Sequence, residues 1–292
     1  MTLPSSGEVA PLTPSGFGGC IATRDGISDG TTIRDVAVSM GVALVKGLKL
    51  NESTFRELVA SLGVKVSYED DDADVGYGFS DVLHLDGTRE EGKVITGRGP
   101  LPLHTDGILL GTQVDLIILY AERVANLDMD GATIVCDQMT AWREMPSDLR
   151  DVLLRGYLEY KAFERGYFTN VPEGWYPIPT FRDYGRVRSL NLALPFEEGA
   201  PASWAVRVPG VSDEESRAFF EALRKHLSSP RYLYEHHWKQ GDLIVIDNQR
   251  TLHGRQGLAN KSSRELLRGQ VTFEKVEGAP GATPEASGST DR

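Results

Sequence analysis

Cysteine is nearly missing: Cys20 and Cys136 are the only two in 292 residues. Two distant cysteines make no disulfide framework in a chain of this size, so a reducing, cytoplasmic setting is the expectation. Long apolar stretches are missing as well. None approaches the ~20 residues that a membrane-spanning helix needs. Met1 to Gly19 lack the basic start and apolar block of a secretory signal, so no membrane partner is expected. Positive charge is in deficit, with 31 Lys plus Arg against 42 Asp plus Glu, a formal net charge of −11 and a pI near 5.1. No basic field is available to neutralise phosphates, and nucleic acid is excluded as an expected partner. Repeats and internal linkers are not apparent, and this favours one domain.

What remains is an ordinary globular composition, 40% hydrophobic and 25% charged. Both ends read as loose. Residues 1–20 carry Pro4, Pro11 and Pro14 with little periodicity, and residues 277–292 hold no large apolar side chain. The folded body is expected over residues 21–276 as a single domain. Within it, short apolar runs alternate with glycine-bearing turns. Val42–Val45, Val114–Tyr120, Ala132–Val135, Leu243–Ile246 and Val271–Phe273 read as strands. Helices are predicted over 52–62, with Phe55, Leu58, Val59 and Leu62 on one face, over 147–155, and over 212–227 behind a Ser212 cap. Many strands, few helices and no regular strand–helix alternation predict a mainly β core with flanking helices.

Three segments carry chemistry. In LPLHTDGILLG, residues 101–111, His104 and Asp106 stand two apart, and an extended chain would point both to one face, roughly 7 Å apart at Cα. The pair alone is common by chance and also fits a polar strand end. In residues 238–257, WKQGDLIVIDNQRTLHGRQG, a buried strand leads through Asp247-Asn248 to His253. Alone, His253 could be a satisfied loop histidine. In SSRELLRGQV, residues 262–271, Arg264 and Arg268 are four apart amid Leu266, Leu267 and Val271. They share a face in a short helix and can both reach an interior in a bent strand. Two surface arginines are the commoner outcome, but a buried arginine needs an anion. Two histidines and a carboxylate with positions left open form the facial arrangement used for non-haem Fe(II), and an arginine beyond them can grip a carboxylate in a bidentate pair.

With these motifs in this order, the chain resembles the taurine dioxygenase family of Fe(II)- and 2-oxoglutarate-dependent oxygenases over about residues 40–275. The family's His-x-Asp matches His104-Thr105-Asp106. Its Gly-Asp turn, strand, Asp-Asn and histidine match Gly241 to His253, and its later arginines match Arg264 and Arg268. The threonine after a glycine matches Thr133, and Val-Lys-Gly followed by a helix ending in Leu-Gly matches 45–63. The resemblance implies a double-stranded β-helix, or jelly roll, with Fe(II), 2-oxoglutarate and O2 as cofactor and co-substrates. It implies His104, Asp106 and His253 as metal ligands and catalytic residues. It also implies Arg264 and Thr133 on the distal carboxylate of 2-oxoglutarate, and Arg268 either reinforcing that carboxylate or meeting an anionic substrate group. Asp247, Asn248 and Arg255 read as shaping the surroundings.

The implied reaction hydroxylates a C–H bond of a small molecule, a carboxylate-bearing or amino-acid-like metabolite, with release of succinate and CO2. The alternatives within that chemistry are desaturation, epoxidation or epimerisation. A zinc hydrolase and a non-catalytic jelly-roll binding module are the rivals outside it. Because Asp106 is present, halogenation, which needs that position opened, is disfavoured. Tyr77 and Phe79, beside glycines ahead of the first motif, are substrate-contact candidates. His84, His226 and the pair His236-His237 read as polar structural positions, and the acidic run 69–72 as a solvated loop. The oligomeric state is left open, a homo-oligomer included.

Overall fold

The apolar runs at 42–45, 116–121 and 243–246 do not alternate with polar residues because both of their faces are buried. A computed structural model describes residues 9–22, 30–66, 82–86, 93–125, 130–168, 170–259 and 262–273. In chain order the first strands are β1 (Val9–Pro11), β2 (Gly19–Ile21), β3 (Val42–Val45), β4 (Val64–Lys65), β5 (Leu83–Asp86), β6 (Leu101–His104), β7 (Leu116–Ala125) and β8 (Thr133–Asp137). There follow β9 (Tyr157–Ala162), β10 (Tyr176–Pro179), β11 (Phe181–Asp183), β12 (Arg188–Leu190), β13 (Trp204–Arg207), β14 (Leu233–His236), β15 (Leu243–Asp247), β16 (Thr251–Arg255) and β17 (Ser263–Thr272). The helices are α1 (Gly30–Met40), α2 (Glu52–Leu62), α3 (Gln138–Arg143), α4 (Ser147–Leu153) and α5 (Asp213–Leu227).

Two sheets make the body. The larger runs β1-β2-β3-β15-β7-β17-β4, with β5 also on β17; the smaller runs β14-β8-β16-β6. The strand period of two sorts the large sheet's side chains. Val42, Leu44, Ile117, Leu119, Ile244, Ile246 and Leu266 point inward and meet Val135 of the small sheet and Trp238. Ala43, Val45, Leu116, Ile118, Leu243, Val245 and Leu267 point outward under α1 and α2, against Ile33, Val36, Phe55, Leu58 and Val59. A third apolar cluster joins the outer side of the small sheet, through Leu103, Cys136 and Leu252, to α4, α5, β9 and β13. The arrangement is a jelly roll with flanking helices.

The helices begin where their caps dictate. Asn51 accepts from the Thr54 amide while the Thr54 hydroxyl accepts from the Asn51 amide, closing a capping box on α2. Ser212 and Glu215 do the same for α5, whose first turn is acidic and last turn basic, matching the helix dipole. The N-terminal region departs from expectation. Residues 9–11 and 19–21, read as loose, are strands: β1 and β2 pair antiparallel, and β2 adds to β3 in parallel. Gly19 permits this, because a Cβ there would sit 2.7 Å from both Val9 and Val36 side chains. Of the two conformations left open around Arg264 and Arg268, the short helix and the bent strand, the chain takes the strand, β17, with a register irregularity between Glu265 and Leu266. Among the described residues no helix is long and apolar enough to cross a membrane.

Candidate metal centre

His104 ends β6, and β16 sets His253 directly opposite it across the ladder. Cross-strand neighbours lie side by side on one face, so two histidines 149 positions apart in sequence have ring centroids 4.3 Å apart. Asp106 does not reach them by strand alternation. The strand stops at His104, and the chain turns at Gly107, where φ is +82° and a Cβ would lie 2.1 Å from the Thr112 carbonyl. Asn248 holds that turn: its Oδ1 accepts from the Asp106 amide at 2.9 Å, and its Nδ2 donates to the Asp106 and Val114 carbonyls at 3.2 and 2.8 Å. This brings Asp106 Oδ1 to 3.4 Å from His104 Nε2 and 3.7 Å from His253 Nε2. Ligand atoms of the three residues all lie within 4.8 Å of one another, a set that could hold one metal ion.

The protonation pattern suits a cation. The Pro102 carbonyl, which can only accept, takes the His104 Nδ1 proton at 2.9 Å, so Nε2 is the ring nitrogen left to face a metal. Burial, together with the nearby His104, pushes His253 down to about 3, so its ring is neutral. Burial would raise the Asp106 carboxyl, but its neighbours, the Arg268 guanidinium first among them, outweigh it and hold it well below the usual carboxylate range.

Arg268 serves that carboxylate. It donates to Asp106 Oδ2 at 2.5 Å and to the Tyr167 hydroxyl at 3.2 Å, while Gln270 Nε2 donates to the same Oδ2 at 2.7 Å. With Oδ2 doubly held, Oδ1 is the oxygen presented to the histidines. Gln270 and Tyr167 were not singled out in the sequence. Gln270 was recoverable as the next residue on the Arg268 face of the strand; Tyr167, 101 positions from Arg268, had no local signal.

Arg264, four residues earlier on β17, opens on the same cavity as Thr133, His104, Asp106 and His253. Its Nη1 donates to the Gly131 carbonyl, and its buried Nε has no partner. Burial, with Arg255 nearby, pushes it down to about 9. Among the described residues no carboxylate pairs with it, so a buried cation faces a cavity that could take an anion. Arg255 does not supply or need one there; it ties down the chain before β6 by donating to the Val94, Ile95 and Gly99 carbonyls. Most of the remaining wall is apolar, including Ile108, Leu109, Phe168 and Trp204.

Tyr77 and Phe79, and the acidic run at 69–72, lie outside the described residues. Asp247 is buried and paired with Arg186 at 2.8 Å, away from the histidines. His84, which has no ligand spacing in sequence, is brought by the β5–β17–β7 pairing into reach of Glu122 and Glu265. That second cluster is already compensated: Arg123 pairs with Glu265, and Glu52 lies 3.2 Å from His84 Nε2.

Comparison with known proteins agrees with this geometry. The family model described as "Taurine catabolism dioxygenase TauD, TfdA family" matches residues 8–270. A tyrosine isonitrile desaturase of Erwinia amylovora is 27% identical over 172 residues, 58% of each chain. An alpha-ketoglutarate-dependent 2,4-dichlorophenoxyacetate dioxygenase of Burkholderia sp. is 29% identical over 164 residues, 51% of each chain. The chain thus spans just over half the length of these curated relatives. The structure of PvcB, an Fe, alpha-ketoglutarate dependent oxygenase from an isonitrile synthetic pathway, superposes with a TM-score of 0.65 at 21% identity, covering 93% of this chain and 94% of PvcB, and shares its fold.

Proposed function

Since the chain belongs to the taurine catabolism dioxygenase TauD, TfdA family, we propose that it is an Fe(II)- and 2-oxoglutarate-dependent oxygenase of a small molecule. The observation that carries this reading is a coincidence of two sites in one cavity: three convergent ligand atoms and, beside them, a buried arginine without a carboxylate. The first fits a divalent metal and the second fits the far end of a dicarboxylate. A zinc hydrolase would need only the first, and a binding module that had lost its chemistry would need neither.

When bound, Fe(II) with 2-oxoglutarate and O2 supplies C–H oxidation coupled to decarboxylation of 2-oxoglutarate to succinate and CO2. The chain's own residues do the rest. His104 and His253 offer their Nε2 atoms, and Asp106 offers Oδ1 with its other oxygen restrained by Arg268 and Gln270. Arg264 and the Thr133 hydroxyl receive the distal carboxylate. Ile108, Leu109, Phe168 and Trp204 exclude water and take up the apolar part of the substrate. Arg268 orients Asp106 in this account and has little charge to spare for a substrate anion. Hydroxylation is the main outcome. Desaturation is the second reading, favoured by the relative named a tyrosine isonitrile desaturase. A reducing, cytoplasmic setting is supported by the unpaired Cys20 and Cys136, the latter buried.

The test is succinate release from 2-oxoglutarate. Slow release without added substrate is expected with Fe(II) and none in its absence; equal release in both conditions would remove iron from the account. A second expectation concerns Asn248, which grips the Asp106 backbone without touching the cavity's ligand atoms. Asn248→Ala should weaken Fe(II) binding by about 10- to 100-fold, the usual cost of loosening a ligand's support. Calorimetric titration checks this, and an unchanged affinity would show that the turn holds its shape without Asn248.

A further inference from the structure

Thr133 has a buried neighbour besides the residues of the cavity. β14 runs antiparallel to β8 and sets His236 opposite Thr133. Two residues on, the buried Trp238 turns its indole back to that threonine, and its Nε1–H donates to Oγ1 at 3.0 Å. The indole stands on a fixed support. The His236 ring meets it edge-on, centroids 4.6 Å apart at 90°. His236 Nδ1 lies 3.1 Å from the Tyr234 hydroxyl and Nε2 lies 3.2 Å from Asp242. Asp242 in turn accepts from the Lys239 amide at 3.0 Å, closing the turn. Gly241 allows that turn, with φ +84° and a Leu48 carbonyl 2.6 Å from where a Cβ would stand.

The consequence follows from what each group can do. An indole N–H donates only, whereas a hydroxyl has one proton and two lone pairs. Donation from Trp238 occupies one of the two lone pairs of Thr133 and turns its proton away from the indole. Among the described residues the Thr133 hydroxyl donates to no protein acceptor, and the side chain lines the cavity with Arg264. We infer that Trp238 is a positioning residue for the co-substrate: its indole N–H commits the Thr133 hydroxyl to donating into the cavity, where it and Arg264 together select a carboxylate. Without the indole N–H, the hydroxyl is free to turn and to accept from a neutral donor instead. The inference rests on the reading of 2-oxoglutarate as co-substrate.

Anaerobic calorimetric titration of 2-oxoglutarate into the Fe(II)-loaded protein tests it. Trp238→Phe keeps an apolar ring and removes the donor. The dissociation constant should rise about threefold to tenfold, the worth of one neutral hydrogen bond, with Fe(II) affinity unchanged. Thr133→Val should raise it at least as much. The double substitution should be no worse than Thr133→Val alone, because Trp238 acts through Thr133. Losses that add, or a normal dissociation constant with a lowered Tm in Trp238→Phe, would make Trp238 a packing residue and overturn the inference. Should Trp238→Phe fail to fold, protein labelled at the indole nitrogens decides. One indole N–H resonance should move in Thr133→Val, and that same resonance should move when 2-oxoglutarate binds the unsubstituted protein; no movement in either case overturns the inference. If the unsubstituted protein itself does not bind 2-oxoglutarate, the co-substrate reading fails first and takes this inference with it.

Discussion

Asp106→Ala should end Fe(II)-dependent succinate release and also destabilise the fold by about 3–5 kcal/mol. The first effect is the loss of one of three ligands. The second follows from the carboxylate's other oxygen. Oδ2 accepts from Arg268 and Gln270, and Arg268 is only 9% exposed. Truncation removes the carboxylate that pairs with a buried guanidinium. Asp106→Asn keeps an oxygen for Arg268 and should recover part of the stability without recovering the iron. Thermal unfolding and iron content, measured on both variants, separate the two roles. Equal Tm in Asp106→Ala and the unsubstituted protein would mean that Arg268 finds another partner and that the restraint on Oδ2 is unimportant.

Arg264→Met should behave in the opposite way. Burial pushes this guanidinium down to about 9, so the charge is a cost to the ligand-free fold. An apolar side chain of similar length removes that cost, and the Tm without ligand should hold or rise. The affinity for 2-oxoglutarate should fall about 100- to 1,000-fold, because two charge-assisted bonds to the distal carboxylate are lost, about 3–4 kcal/mol. Arg264→Lys should restore little, since an ammonium cannot reproduce the forked pair. An unchanged KM for 2-oxoglutarate in Arg264→Met would move the anchor elsewhere. A stable fold that has lost its co-substrate is the pattern expected where a site spends stability on function.

The parts of this molecule that could be read from sequence are those specified locally. α2 and α5 announce themselves by apolar spacing, and α5 also by Ser212 at its start. The buried strands show as runs such as Leu243–Ile246. The meeting of His104, Asp106 and His253 is suggested by the order and spacing of motifs matched to a family; strand alternation does not bring it about, because a turn held by Asn248 places Asp106. What sequence did not show depends on contacts between distant segments. α1 has few strong helix formers in GTTIRDVAVSM and is secured by burying Ile33, Val36 and Ala37 against the large sheet. The destination of Arg268 could not be known without seeing Asp106 162 positions away. The indole of Trp238 likewise needed the β14–β8 register to reach Thr133.

The most direct measurement is an anaerobic crystal structure with Fe(II) and 2-oxoglutarate. It should show iron within roughly 2.0–2.3 Å of His104 Nε2, His253 Nε2 and Asp106 Oδ1, the bonding range of such metals to nitrogen and oxygen, with the distal carboxylate on Arg264 and Thr133. Iron seated instead among His84, Glu122 and Glu265, or a 2-oxoglutarate whose far carboxylate turns away from Arg264, would contradict it.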